Sequence, residues 1–272
     1  RLEALRPEAL HIATEGPIGH AARRWALSRG LPFTTSYHTR YPEYVRARAP
    51  IPEALTYAWL RHFHAPAART MVPTETMRSE LASWGFANLS VWTRGIDTAL
   101  FRPREGLVTE WPRPLMLSVG RLAVEKNVEA FLACDLPGTK VVVGDGPQRA
   151  DLERRFPEAV FLGVRTGEAL AQVYASADVF VFTSRTDTYG NVMQEAMACG
   201  VPVAAFPVPG PLDVITDPAV GVLDEDLPSA IRAALRLDRR ACRALAESRT
   251  WEAAACQFAA ALAPFPAAAR AA

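Results

Sequence analysis

Two cations and two carboxylates stand out in the second half of the chain. Lysine occupies only two of the 30 basic positions, Lys126 and Lys140. Lys126 lies in Ser118-Val-Gly-Arg-Leu-Ala-Val-Glu-Lys-Asn127, directly after an apolar run that reads as a strand. In an open parallel sheet, ligands collect outside the carboxyl ends of the strands. Gly120, Arg121 and Lys126 therefore stand where an anionic group would be received, and a phosphate needs such cations. The same residues also make an ordinary charged surface loop. A second segment, Gly144-Asp-Gly-Pro147, places Gly144 and Gly146 after another apolar run, where missing side chains let a backbone or a ligand approach closely. It also reads as a plain turn into a helix with proline in its first turn.

The third segment is Phe182-Thr-Ser-Arg-Thr-Asp-Thr-Tyr-Gly-Asn191. A buried strand runs into a polar loop and then into a helix over 192–198. The free N–H groups and partial positive charge of a helix N-terminus bind phosphate well. Asp187 and Glu195 stand eight residues apart, one in the loop and one on the helix about two turns later, where carboxylates can accept hydrogen bonds from sugar hydroxyls. Asp187 as a helix cap and Glu195 as a buried, paired acid are the alternatives.

These residues need a scaffold of alternating strands and helices, and the sequence provides two blocks of it. In the first, strands are expected at 9–14, 33–36, 70–72 and 89–92. A helix opens at Gly16-Pro17 and stops near Gly30, another follows Pro52, and a third is capped by Thr74 and stops at Gly85. The second block has expected strands at 115–119, 140–143, 160–162, 178–182 and 202–206, with helices between them and a helical tail from Asp226 to Pro264. Arg94-Gly-Ile-Asp97 and the Pro-rich stretch to Pro114 read as a connection, which divides the chain into domains 1–96 and 97–272. The chain opens with Arg1 inside what reads as a running helix, so the first domain is expected to be incomplete.

Composition narrows the function classes. Half of the residues are hydrophobic and the formal charge is +1, so a sizeable core is expected and no general nucleic-acid binding. The four cysteines, Cys134, Cys199, Cys242 and Cys256, include no CxxC pair and read as buried cytosolic thiols. No run of 18 apolar residues predicts a transmembrane helix. Asp224-Glu-Asp226 reads as a helix cap and His62-x-His64 lacks a third ligand at suitable spacing, so no metal site is expected.

Taken together, RLAVEKN, GDGP, ASADVFVF and TDTYGNVMQEAMACGVPV, in this order and spacing, resemble the family 4 glycosyltransferases. TSYHTRYPEYV and RGID are similar to a bacterial branch of GDP-mannose-dependent α-mannosyltransferases. The resemblance runs from about Glu8 to Phe258. It implies an α/β chain of GT-B fold, with two Rossmann-like domains facing across a cleft. It also implies retaining transfer of a hexose, mannose from GDP-mannose, from a nucleotide-diphosphate sugar to a lipid or glycan acceptor without a metal cofactor. Asp187 stands where the family carries the first glutamate of its E-x7-E motif, one methylene shorter, and lies by the donor sugar. Glu195 matches the second, which binds the ribose hydroxyls. The resemblance further implies that the backbone of Thr188, Tyr189, Gly190 and Asn191 cradles the diphosphate. Arg121 and Lys126 match the diphosphate-binding pair and would neutralise the departing charge. His38 matches the active-site histidine. Val164, in Gly163-Val-Arg165, is positioned to meet the base.

Other readings are a UDP-hexose-dependent transferase, a nucleotide-binding remnant without turnover, and a nucleotide-sugar epimerase. His20, Arg23, Arg24, Trp25 and Arg29 fall on one helix, and positions 1–100 hold 12 arginines against 8 acids. A cytoplasmic protein in peripheral contact with an anionic membrane follows as an expectation, with an ordinary solvated helix as the alternative.

Overall fold

The computed structural model describes residues 7–104 and 110–266, so the N-terminal helix expected from Arg1 lies largely outside the described residues, as do part of the Pro-rich connection and the end of the tail. The chain divides into two units. One runs through Thr93 and takes in the chain from Glu252 onward, and the other is Arg94–Trp251.

The first unit contains β1 (His11–Ile12), α1 (Pro17–Ser28), β2 (Thr34–Ser36), α2 (Tyr41–Arg48), α3 (Glu53–His64), β3 (Arg69–Val72), α4 (Glu75–Ser83) and β4 (Leu89–Val91). The strands are parallel, in the order β1-β2-β3-β4. Local signals set the helix limits. Pro17 occupies the first turn of α1, and Gly30 follows that helix with φ 62°. Thr74 Oγ1 accepts from Met77 N at 3.1 Å at the start of α4. Pro42, in the first turn of α2, marks a helix that the sequence reading passed over.

The second unit contains β5 (Leu115–Val119), α5 (Val128–Leu132), β6 (Thr139–Val143), α6 (Arg149–Arg155), β7 (Val160–Phe161), α7 (Gly167–Ser176), β8 (Val179–Phe182), α8 (Asn191–Ala198), β9 (Val203–Ala205), α9 (Pro211–Val214), β10 (Gly221–Leu223), α10 (Leu227–Ala234) and α11 (Arg239–Glu247). Its sheet is parallel in the order β10-β9-β8-β5-β6-β7. The chain builds outward from β5 through β6 to β7, then returns to the other side of β5 to lay down β8, β9 and β10. β5 and β8 lie in the middle of the sheet, which explains why LMLSV and VFVF are nearly continuous apolar runs rather than alternating ones. Short β10 was not expected from the sequence.

The tail from Asp226 is helical, as expected, and comprises α10, α11 and a further helix, α12 (Trp251–Ala261). Asp238 starts α11, its carboxylate accepting from Arg240 N at 2.9 Å. One expectation about the C-terminal part is corrected. From Glu252 onward the chain belongs with the first unit, whereas the sequence reading gave the second block everything to residue 272. The contacts explain why. Trp92 Nε1 donates to Ala254 O at 3.0 Å, Thr93 Oγ1 donates to Gln257 Oε1 at 2.9 Å, and Arg69 Nη1 donates to Ala261 O at 3.0 Å. The Phe258 ring packs against Trp92 and His11. Helical periodicity shows that α12 has an apolar face but not which unit receives it.

His11 shows how polar atoms are accommodated under that helix. Its Nδ1 and Nε2 hydrogen-bond Thr34 Oγ1 at 2.9 Å and Ser36 Oγ at 2.7 Å. Burial, with His38 nearby as a second cause, lowers its pKa to about 4. The folded state therefore favours the neutral ring, and the unfolded chain binds the proton first as pH falls. This contribution to stability is fully present above about pH 6.5 and is lost as pH drops toward about 4. The melting temperature is expected to fall across that window and to fall less steeply in His11→Gln; equal slopes would refute the assignment.

Candidate functional site

The reversal of strand order around β5 shapes the site. The loop after β5 and the loop after β8 leave neighbouring strands from the same end of the sheet, the location where open α/β sheets bind ligands. Hydrogen bonds join the two loops. Thr183 Oγ1 donates to Lys126 O at 2.7 Å, Ser184 Oγ donates to Glu125 O at 3.2 Å, and Asn127 Nδ2 reaches Thr183 O at 3.4 Å. A single 3₁₀ turn, Val124–Lys126, followed by Asn127 at φ 50°, turns Lys126 toward the β8 loop. Lys126 Nζ then donates to Asp187 Oδ1 at 2.5 Å, with both side chains largely buried. Asp187 is thus the partner of Lys126 and not the helix cap that was one reading of it. The N-cap of α8 is Gly190, at φ 84°, where a side chain would press on Met193 and Phe182.

The loop after β6 supports the β5 loop from behind. Leu122 N donates to Asp145 O at 2.9 Å, and Gln148 N donates to Leu122 O at 3.0 Å. A Cβ on Gly144 would lie 1.9 Å from Gly120 O, and one on Gly146 would lie 2.4 Å from Leu122 O. Protein backbone therefore accounts for both glycines. Gly120 differs, because a Cβ there would meet no atom within 4 Å. Gly210 has a similar supporting role that sequence reasoning missed: at φ 94° it lies under the β8 loop, where a Cβ would come within 2.9 Å of Asp187 O. The Pro-Gly-Pro run around it was the available signal.

Glu195 lies four residues into α8, and Tyr174 Oη donates to its Oε2 at 2.8 Å. Burial raises the Glu195 pKa, and the Tyr174 hydrogen bond opposes that rise. Arg121 is mostly exposed and makes only a loose ion pair, 3.9 Å from Glu125. Val164 and Arg165 are exposed on the loop after β7. Tyr189 is buried, and burial raises its phenol pKa. Thr188 and Asn191 flank the turn into α8. The loops thus bring Gly120, Arg121, Lys126, Asp187 and the α8 N-terminus to one end of the sheet, while Tyr174, Thr183 and Ser184 carry supporting roles the sequence did not disclose. Tyr174, an aromatic on the apolar face of a helix, reads from sequence as simple core.

In the first unit, His38 is exposed just past the carboxyl end of β2. His64 does not resemble a waiting metal ligand: its Nε2 meets Glu15 Oε1 at 3.0 Å and its Nδ1 meets Thr35 Oγ1 at 2.8 Å, both in the interior. Asp226 is the N-cap residue of α10, but its carboxylate accepts from Ser229 Oγ at 2.5 Å and not from a backbone N–H. Part of the basic face of α1 is used internally. Arg23 donates to Phe63 O at 2.9 Å and His62 O at 3.0 Å at the end of α3, and Trp25 packs on the core. Cys134, Cys199 and Cys242 are buried as expected, but Cys256 is exposed on α12. Among the described residues, no helix is long and apolar enough to cross a membrane.

Comparison with known proteins identifies the family and the fold. Residues 1–100 match the family model described as Glycosyltransferase Family 4, and residues 113–237 match Glycosyl transferases group 1. The chain is 35% identical over 268 residues to a GDP-mannose-dependent alpha-mannosyltransferase of Mycolicibacterium smegmatis, covering 92% of this chain and 72% of that protein. The chain belongs to the family 4 glycosyltransferases. A Mycobacterium tuberculosis protein of the same description is 36% identical, over 85% of this chain and 66% of its own length, so the chain spans about two thirds of these relatives. The sucrose-phosphate synthase of Thermosynechococcus elongatus superposes with a TM-score of 0.78 at 22% identity, covering 95% of this chain and 74% of that one, which shows the GT-B fold.

The close approach at Gly144 yields a stability test. Gly144→Ala is expected to cost about 3 kcal/mol through overlap with Gly120 O. Denaturant unfolding measures it, and a loss below about 1 kcal/mol would mean the loops pack differently.

Proposed function

We propose that this family 4 glycosyltransferase transfers mannose from GDP-mannose to a hydroxyl of a lipid or glycan acceptor, with retention of anomeric configuration. The observation that carries this reading is the Lys126–Asp187 ion pair, bridging the carboxyl ends of β5 and β8 beside the N-terminus of α8. It holds an ammonium where a nucleotide diphosphate would lie across the sheet end. A diphosphate carries more charge than one carboxylate and would take over part of that ammonium's bonding.

The proposed roles follow from position. Arg121, exposed and only loosely paired, swings onto the phosphates, and the N–H groups of Thr188, Tyr189, Gly190 and Asn191 receive phosphate oxygens. Asp187 lies by the donor sugar and Glu195 takes the ribose hydroxyls. Gly120 allows the ligand close approach, while Gly144 and Gly146 support it indirectly through the β5 loop. Val164 flanks the base. His38 orients the donor sugar or the acceptor hydroxyl. The two cations meet the charge that develops on the departing diphosphate, so the reaction needs no metal cofactor. The donor comes from the description shared by the two mycobacterial relatives.

The acceptor side of the proposal rests on the first unit. A trough of about 500 Å3 is lined by Glu15, Tyr41, Ile51, Leu55, Thr56 and Trp59. Ile51, Leu55 and Trp59 in its lining are exposed. An apolar trough suits the apolar part of an amphiphilic acceptor, presented at the cytoplasmic face of a membrane.

Calorimetry with chelator present tests the donor site: GDP is expected to bind more tightly than UDP, and Lys126→Ala and Glu195→Ala are each expected to weaken GDP about 10-fold or more. Tighter UDP binding would overturn the donor choice, and unchanged affinity in both variants would remove the site. Flotation with vesicles tests the acceptor side. Binding is expected to increase with anionic lipid and to drop in Trp59→Ser; no lipid dependence would count against a membrane-borne acceptor.

A further inference from the structure

Among the described residues, Tyr174 is the fully buried tyrosine whose hydroxyl bonds to a carboxylate of the proposed donor site. It lies on α7, its ring enclosed between Phe101, at 5.8 Å and 83°, and Phe180, at 5.7 Å and 47°. The ring has no freedom to turn away, so the direction of its O–H is set by the core. That O–H donates to Glu195 Oε2 at 2.8 Å. Oε1, the other carboxylate oxygen, has no hydrogen-bond donor among the described residues and is not among the enclosed polar atoms that lack a partner.

We propose that Tyr174 is a positioning residue for the nucleotide ribose, its phenol fixing one oxygen of Glu195 so that the other is presented to the vicinal diol. This deepens the reading of Glu195 as the ribose-binding acid and rests on it. A carboxylate with one oxygen pinned loses rotational freedom before the ligand arrives, so less ordering is needed on binding. The same bond favours the ionised form. Burial alone would push Glu195 toward the neutral acid, and a neutral acid presents a poorer acceptor to a hydroxyl. The other titratable group that faces this pair is Cys199, just past the end of α8, with its thiol pushed up to about 12 by burial and so uncharged. Tyr174 is itself held far above its ordinary pKa, again by burial first, and stays a donor throughout the physiological range.

The test compares GDP with 2′-deoxy-GDP, using calorimetry on the unsubstituted protein, Tyr174→Phe and Glu195→Gln. Phenylalanine keeps the ring and removes only the donor. Tyr174→Phe is expected to melt near the unsubstituted protein, to bind GDP about 10- to 100-fold more weakly at pH 7, and to discriminate less between the two nucleotides. The acid limb of its GDP binding should move to higher pH, because the bond that favoured the carboxylate is gone. A role in packing alone would move neither the discrimination nor that limb. A folded Tyr174→Phe with unsubstituted discrimination and pH profile, while Glu195→Gln loses both, would overturn the proposal and leave the ribose reading standing. Glu195→Gln with undiminished discrimination would instead remove the ribose reading, and the proposal with it. The unsubstituted protein gives a readout that needs no variant: its GDP to 2′-deoxy-GDP affinity ratio should hold from pH 8 to pH 7, and a collapse above pH 7 would overturn the proposal.

Discussion

The reversal of strand order at β5 and β8 is the constraint on which the donor-side geometry depends. A parallel strand sends its following loop out at its carboxyl end, and neighbours laid down in opposite directions across the sheet send their loops apart. At this position the two loops do not separate into open solvent. Side-chain hydroxyls of Thr183 and Ser184 hold them against the backbone of Glu125 and Lys126, and the Lys126–Asp187 pair joins them across the top. Removing either charge would leave the other partly buried without its partner, an arrangement that is costly in a low-dielectric site. The pair therefore does two things in the free protein: it orders the loops and keeps an ammonium available at the sheet end.

The surrounding elements contribute by limiting movement. Behind the β5 loop, the β6 loop approaches so closely that only glycine fits at Gly144. Below the β8 loop, Gly210 does the same. At the far end of α8, Arg243 donates to Ala198 O at 2.9 Å, closing a carbonyl that the last turn leaves open, and to Phe101 O at 2.8 Å. Along its side, Tyr174 fixes Glu195. Two glycines, one arginine and one tyrosine, none of them needing to touch the donor, thus set where the proposed donor-binding atoms sit. The rigidity has a physical source in close-packed interiors, where side chains have few alternative rotamers.

Much of the fold was legible in the sequence, for reasons that can be stated residue by residue. The apolar runs 115–119 and 178–182 are buried on both faces and so read as central strands. Pro17, Thr74 and Gly85 mark helix ends through backbone chemistry that does not depend on context. Short or weakly patterned elements were passed over. β10 is three residues long and carries too little pattern, and α2 begins with Tyr41-Pro42 amid arginines that show little amphipathic order. The site was legible as a set of residue types after each strand, but the meaning of several members was not. Gly144 and Gly146 read either as a plain turn or as places where a ligand approaches. Asp187 read equally as a cap or as a functional acid. Cys256 read as buried but is exposed, because the apolar surroundings of α12 do not say which of its faces is covered.

By itself the sequence determined the alternation of strands and helices, the positions of the cations and carboxylates relative to strand ends, and the family to which the chain belongs. These depend on local backbone preference and on residue order, which need no partner to be read. The tertiary structure alone decided that Lys126 pairs with Asp187 across 61 residues, that Tyr174 holds Glu195, and that α12 leaves the unit whose chain it continues to pack against Trp92 and His11. Each of these is a contact between segments distant in the chain, where many partners satisfy the same pattern and only the packed sheet order selects one.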